Sequence, residues 1–218
     1  AAPTAIGSAD GATWADAMTL QAALAHSGCD EIWLQQGLYK PGTQRDATFA
    51  INRPVQLYGG FVGGETARGQ RGTNSRLTVL SGDIDGNDSA DANGIVLDAS
   101  DQSGANSYNV VYLRINSANP ALTRANTVID GLTITAGRAD GGSGNNGGGG
   151  LRCNAQDGAC SPTLRNLTFS GNYASSGGAL FNSGYNGEAS PLISHATFTG
   201  NVSGGSGGAI YNSVSGTG

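Results

Sequence analysis

Lysine is nearly absent from this chain: Lys40 is the only one in 218 residues, and all charged residues together make up 12%. A disordered segment normally carries more charge and less Val, Ile and Leu, so disorder is excluded as the main state. The formal charge of −5 and the lack of any basic stripe interleaved with aromatics argue against nucleic acid as a partner. No apolar run approaches the ~20 residues that a helical membrane span needs, so none is expected. No signal peptide is visible, and Ala1-Ala2-Pro3 reads as a mature or trimmed end. Histidine is represented only by His26 and His195, and no two aspartates are adjacent.

What the chain has in excess is glycine, 37 residues, more than twice the usual share. Residues 13–26 read as a helix, with Thr13 as N-cap, Asp16 in the first turn, and Trp14, Ala17, Leu20 and Leu24 near one face. Gly28 follows as a stop. After Asp30 come short apolar runs bounded by Gly, Asn, Asp and Ser, at 31–35, 49–51, 55–58, 77–80, 95–98, 109–115 and 128–135. These are strand signals.

From Gly137 onward come 21 of the 37 glycines, and the sequence begins to copy itself. Residues 161–182 (SPTLRNLTFSGNYASSGGALFN) return as 190–212 (SPLISHATFTGNVSGGSGGAIYN). Phe169 and Phe198 are 29 apart, and Gly177-Gly178-Ala179-Leu180 recurs 30 residues later as Gly207-Gly208-Ala209-Ile210. A fainter copy upstream has Ile134 for Phe169 and Gly148-Gly149-Gly150-Leu151 for the glycine corner, so the clearest repeats span 127–212. A period of this length with only strand-length runs indicates a solenoid. Stacked coils place equivalent residues ~4.8 Å apart, which predicts Phe169 near Phe198 and a column of Leu151, Leu180 and Ile210. It also predicts amide ladders of Asn172 with Asn201 and of Asn182 with Asn212. The expected fold is therefore all-β, a single right-handed parallel β-helix over 1–218 with an N-terminal capping α-helix. The expected cap hides the exposed end of the first coil. No matching device follows Asn212, so the chain is expected to be the N-terminal part of a longer one.

Phe-x-x-Asn paired with Gly-Gly-Ala-(Ile/Leu) resembles the repeat of bacterial polymorphic membrane proteins. The N-terminal half resembles large bacterial surface proteins of the pectin-lyase-like superfamily with varied C-terminal anchors. That likeness rests on Asp30-Glu31-Ile32-Trp33 with Gly37-Leu38-Tyr39, on Thr78 to Asp83, and on Val128 to Ile134. The resemblance implies a parallel β-helix that is exported to the cell surface or secreted. Members are often autotransporter passengers at the outer membrane, and some act in adhesion. The implied function is a surface scaffold for attachment to a host-cell or matrix protein or glycan.

The competing reading is a polysaccharide lyase or hydrolase acting on acidic glycans. Such hydrolases need paired carboxylates, and a lyase needs a base beside acids. Arg114, Arg138, Arg152 and Arg165 are available, but no motif ties one to an acid cluster, so no catalytic residue is assigned. His26 is expected at the helix end and His195 takes the place of Asn166 in the repeat.

The acidic stretch 83–93 (DIDGNDSADAN) is the candidate metal site. Asp83, Asp85, Asn87 and Asp91 resemble spaced oxygen ligands for calcium, and Gly86 permits a sharp turn. The alternative is a turn whose side chains bond their own backbone. No other cofactor is expected. Cys153 and Cys160 flank a polar loop and form a possible disulfide, leaving Cys29 as a buried thiol. The glycine-rich run 137–150 lacks the lysine and helix of a phosphate loop and is expected to leave the coil as a flexible excursion. Tyr39, Tyr58, Tyr173, Tyr185 and Tyr211 are the aromatics to place, with Tyr211 expected to pack because it replaces Phe181.

Overall fold

The computed structural model describes residues 1–216, so positions 217 and 218 of the expected domain lie outside the described residues. It shows a stack of five coils whose strands pair only in parallel. The first coil holds β1 (Glu31–Gln35), β2 (Gly37–Tyr39) and β3 (Phe49–Ile51). The second holds β4 (Gln56–Phe61), β5 (Thr78–Ser81) and β6 (Val111–Ile115). The third holds β7 (Val128–Asp130), β8 (Thr133–Thr135), β9 (Arg138–Ala139) and β10 (Leu151–Gln156). The fourth holds β11 (Thr163–Arg165), β12 (Thr168–Ser170), β13 (Tyr173–Ser176) and β14 (Leu180–Tyr185). The fifth holds β15 (Leu192–Ser194), β16 (Thr197–Thr199), β17 (Val202–Ser206) and β18 (Ile210–Ser215). Three walls of five strands result, β1-β4-β7-β11-β15, β2-β5-β8-β12-β16 and β3-β6-β10-β14-β18, with a fourth, shorter wall of β9, β13 and β17.

Each strand alternates one residue inward and one outward, so inward residues stack in columns. Tyr39, Leu80, Ile134, Phe169 and Phe198 form one such column, and the two phenyl rings stack at 5.0 Å and 1°. Phe49, Val111, Leu151, Leu180 and Ile210 form another. Asn182 stands over Cys153 and under Asn212, to which it donates a 2.7 Å hydrogen bond.

The coil bends at columns of left-handed residues. Gly131, Asn166 and His195 make one corner, Ala136, Gly171 and Gly200 the next, and Gly148, Gly177 and Gly207 a third. A fourth is made by Asp157, Asn186 and Gly216. His195 thus occupies the place of Asn166 as a corner residue with φ 50°, a region that Asn, Asp and His enter more readily than other side chains. The two paired glycines of each repeat act differently. Gly177 supplies a φ of 62°. Gly178 has no such φ, but a Cβ there would collide with the carbonyl oxygens of Gly208 and Val202 from the adjacent coil.

Several expectations need correction. The helix at 13–26 is split into a 3-10 turn, Trp14–Asp16, and a short α1, Leu20–Ala25. Ala17 is extended, because the carbonyls of Ala17 and Met18 accept from Ile6 and Ala2 of the N-terminal segment. Thr19 is the N-cap, its hydroxyl accepting from Ala22 N, while Thr13 makes no side-chain cap. Leu20, Ala23 and Leu24 enter the main core, whereas Trp14 packs outside it with Trp33 and Phe61. The cation at the helix end is Arg53, which donates to the carbonyls of Ala23, His26 and Cys29; His26 is exposed. Cys29 is half-buried rather than buried.

The run 95–98 is not a strand. It belongs to a strap that leaves the second coil and crosses the next three. Val96 O accepts from the hydroxyls of Thr135 and Ser170, Ala99 N donates to Gly200 O, and Gln102 Nε2 donates to the carbonyls of Gly137 and Gly171. Nor is 137–150 wholly an excursion. Arg138–Ala139 is β9 and Gly147 to Gly150 are buried at a corner; only 140–146 leave the coil.

Candidate binding face

Three places bring polar or aromatic side chains together. The first is the acidic loop. Asp83 Oδ1 accepts from the N–H groups of Gly86 and Asn87, at 2.8 and 3.1 Å. Asp85 Oδ2 accepts from Ala105 N at 2.9 Å and from the Asn87 side chain at 3.1 Å. Asp91 Oδ1 accepts from Asn93 N and Ile95 N, and its other oxygen pairs with Arg76. Those hydrogen bonds and Arg76 hold the Asp91 carboxyl below the usual range, against the opposing effect of burial. Of the four residues expected as calcium ligands, Asp83, Asp85 and Asp91 therefore spend an oxygen on backbone N–H groups, Asn87 donates its amide to Asp85, and Asp91 is directed to Arg76. Among the described residues no three acidic, His or Cys groups converge as a metal would require. Asp88, not singled out by sequence, joins Asp83 and Asp85. Burial raises its carboxyl, opposed by hydrogen bonds from Ser103 N and Asn106 Nδ2 and aided by those two neighbouring charges.

The second place is the outer face of the β1-β4-β7-β11-β15 wall. Asp130 is buried there. Its Oδ2 accepts from Arg71 Nη2 at 2.6 Å and Arg165 Nε at 2.8 Å, and its Oδ1 from Asn166 Nδ2 at 2.7 Å. Glu31 accepts from Trp33 Nε1 and from Arg68, whose guanidinium also covers the Tyr58 ring at 4.6 Å. Glu65 is cradled by the N–H groups of Val62, Gly63 and Gly64. Burial alone would raise its pKa, but these backbone donors win and bring it to about 2. A glycosidase acid needs the reverse shift. Beside these groups a cleft of about 580 Å³, bordered by Trp14, Met18 and Trp33, opens between the N-terminal segment and the loop after β4.

The third place is the outer face of the β3-β6-β10-β14-β18 wall. Alternation turns Tyr112, Arg152, Phe181 and Tyr211 outward in one continuous row across four coils. Phe181 and Tyr211 stack at 5.5 Å, and Arg152 lies 5.4 Å from the Tyr112 ring centre and 5.5 Å from that of Phe181. All four are half-exposed. Two residues along, Arg114 stands in register with Asn154, Ser183 and Ser213. A cleft of about 350 Å³ adjoins the row, bordered by Tyr108, Tyr112, Arg114, Asn145 and Asp46.

Of the other aromatics, Tyr39 is buried, and desolvation pushes its hydroxyl far up. Tyr173 lies under Arg138, which is paired with Asp140, and Tyr185 is exposed. Tyr211, expected to pack, does stack on Phe181, but both rings stand half-exposed on the outer face, and the row is not legible in the sequence because Tyr112 precedes the recognisable repeats. Cys153 and Cys160 are joined by a disulfide.

The family model of the Chlamydia polymorphic membrane protein repeat matches residues 166–183 and 195–213. These are the fourth and fifth coils, each running from the left-handed corner at Asn166 or His195 into β14 or β18. The match supports a likeness to bacterial surface proteins of that repeat type. Searches of the curated proteins and of the solved structures found no match. Among the described residues no helix is long and apolar enough to cross a membrane.

Proposed function

We propose that this chain is a bacterial surface-displayed β-helical scaffold of the passenger type, whose outer walls mediate attachment to a host-cell or matrix protein or glycan. The observation that carries this reading is the stacking of two matched repeats into consecutive coils of one continuous solenoid. Such a stack is rigid, and the loop 140–146 lies outside the coil, where a change of length leaves the core in place. The disulfide fits an oxidising compartment outside the cytosol.

The reading is non-catalytic, and the carboxylates support it. Asp130 and Glu31 are held by arginines, and the backbone N–H groups of its loop hold the Glu65 carboxyl well below the usual range. Calcium in the 83–93 loop stays a separate proposal for stability: a ligand that binds only the folded chain must raise its melting temperature.

Purified residues 1–218 immobilised on beads test the proposal. Saturable attachment to epithelial cells or to a matrix preparation is expected. A chain that attaches to neither, yet turns over polyuronate with a rate lost on one Asp or Arg substitution, would replace this reading with the lyase one.

A further inference from the structure

We infer that the cleft between the N-terminal segment and the loop after β4 is a binding site for an organic cation, a trimethylammonium head carried on an aliphatic stem. The inference stands apart from the attachment reading, which places its ligand on the outer walls.

The walls of the cleft point first to a cation. Its volume of about 580 Å³ lies within the ~300–1,000 Å³ of small-molecule sites. Trp14 and Trp33 border it, both half-buried and the only tryptophans of the chain. Each indole N–H is already spent: Trp14 Nε1 donates to Glu65 O at 2.9 Å, and Trp33 Nε1 to Glu31 Oε1 at 2.5 Å. The rings therefore offer a ligand π surface and no donor. Trp33 lays one face on Phe61, at 4.6 Å and 5°, while Trp14 meets Trp33 tilted, at 6.3 Å and 38°. A cation over an indole face is drawn by the ring quadrupole. Elsewhere the fold fills that role itself. Tyr58, Tyr108, Tyr112, Tyr173 and Phe181 each lie under a guanidinium, and among the described residues neither tryptophan does.

The charges agree. Exposed Glu31 and half-buried Glu65 border the cleft, and among the described residues no Lys or Arg does. Arg68 takes one oxygen of Glu31 from outside the lining. Glu65 keeps its charge, because the backbone donors of its loop outweigh burial. The Ala1 amine also borders the cleft, but burial brings it from 8.0 to about 6, so it carries little charge at neutral pH.

The kind of cation follows from what is already satisfied. The oxygens of Glu65 accept from Val62, Gly63 and Gly64, and those of Glu31 from Trp33 and Arg68. A primary ammonium entering here would give up water for acceptors that are engaged, which is costly. A quaternary ammonium has no N–H to satisfy and presents methyl groups to the rings. Away from the acidic edge the border is apolar: Met18 and Ile32 are buried and Cys29 is half-buried. That part takes the aliphatic stem.

The probe is hexyltrimethylammonium, measured on residues 1–218 by calorimetry and by tryptophan emission, which reports this cleft alone because both tryptophans border it. Saturable binding with a change in emission is expected. Hexan-1-ol and hexanoate, with the same stem and no positive charge, should bind at least tenfold more weakly, and hexylammonium at least fivefold. Trp14→Leu keeps an apolar wall without its π face, and Glu31→Gln keeps an acceptor for Trp33 without the charge. Each should weaken the probe at least fivefold. Glu31→Gln should do so at an unchanged melting temperature, so it carries the test if Trp14→Leu does not fold. Cys29 is the one free thiol among the described residues. Its alkylation by iodoacetamide should slow at least threefold under saturating probe. No binding, equal binding of hexan-1-ol, or binding unchanged in Glu31→Gln and in folded Trp14→Leu would overturn the inference. So would Cys29 alkylation at its original rate under saturating probe, which would place the ligand elsewhere. Given binding, phosphatidylcholine vesicles that displace the probe would make a lipid headgroup the source of the cation, and vesicles that do not would make it a free quaternary amine.

Discussion

Asn201 Oδ1 receives two hydrogen bonds from Asn172, from its backbone N–H at 3.1 Å and its Nδ2 at 2.9 Å. Asn172 repeats the pattern one coil earlier. Its Oδ1 accepts from Gly137 N at 3.0 Å, and its Nδ2 also reaches Ile134 O at 3.0 Å. Asn201 Nδ2 likewise reaches Phe169 O at 2.9 Å. At these corners the strands stop, and the amide column supplies the cross-coil bonds that a backbone ladder would otherwise make.

Removing a rung should therefore cost stability according to its burial. Asn172 is buried, so Asn172→Ala strands Gly137 N and Ile134 O away from water. At about 1–3 kcal/mol per stranded group, partly relieved by local adjustment, a loss of roughly 2–3 kcal/mol is expected. Asn201 is half-exposed, and water can replace its amide, so Asn201→Ala should cost less. Urea unfolding of the two variants measures the order. Equal losses would mean that the column does not carry backbone groups out of solvent.

His195 tests whether a histidine in this fold is there for chemistry or for its backbone. It is exposed, with φ 50°, above Asn166 in the same corner column. Gly or Asn at 195 should leave stability within about 0.5 kcal/mol, as for ordinary surface changes. Val, whose branched side chain resists this conformation, should cost roughly 1–2 kcal/mol. Unfolding midpoints for the three variants decide it, together with cell attachment. Attachment lost in His195→Asn at unchanged stability would give the imidazole a function that the geometry does not suggest.

Glu65 and Asp140 both have carboxyls held below their ordinary values. For Glu65, burial works against the shift and the backbone donors of its loop win; for Asp140, burial again opposes and Arg45 and Arg138 win. A depressed folded-state pKa contributes stability above the unfolded value, and that stability is lost as pH falls through the folded one. For Glu65 the window runs from its ordinary value near 4.5 down to about 2. The chain should therefore lose stability progressively on acidification through that window. Glu65→Gln should show a shallower acid slope and a reduced stability at neutral pH. Denaturant midpoints taken from pH 7 to pH 2 measure both, and an identical slope in the variant would remove Glu65 from the acid response.

Much of the stacked architecture could be read from the chain because it is periodic. Phe169 and Phe198 recur at one coil length, and so do the paired glycines, so the register of β12 with β16 and of β14 with β18 follows from spacing. The strap was illegible for the opposite reason. Val96 meets Thr135 and Ser170 at separations of 39 and 74 residues, through hydroxyl-to-backbone bonds that leave no period. Its apolar Ile95 and Val96 imitate a strand because both are buried. The opening helix failed because helical spacing in residues 13–26 mixes two destinations, Trp14 outside with Trp33 and Leu20 inside the core. The outer row on the third wall stayed hidden because Tyr112 and Arg152 come from coils whose lengths differ from the repeat. Only the pairing of β6 with β10 sets them side by side.

The disulfide offers a final test, because it lies in the same inward column as an amide with an unmet need. Cys153 and Cys160 are seven residues apart and close the loop after β10. A loop of that length constrains the unfolded chain by roughly 2–3 kcal/mol, so reduction, or Cys160→Ala, should lower stability by about that amount. Asn182 stands directly over Cys153, and its buried Oδ1 has no donor among the described residues. In a Cys160→Ala background, Ser at position 153 can donate its hydroxyl to that oxygen, whereas Ala cannot. Cys153→Ser should then be more stable than Cys153→Ala by about 1 kcal/mol, the ordinary net contribution of one hydrogen bond. Urea unfolding of the two double variants without reductant gives the difference directly. Equal midpoints would show that the hydroxyl does not reach Asn182, and the stabilisation at this corner would then belong to the sulfur bridge alone.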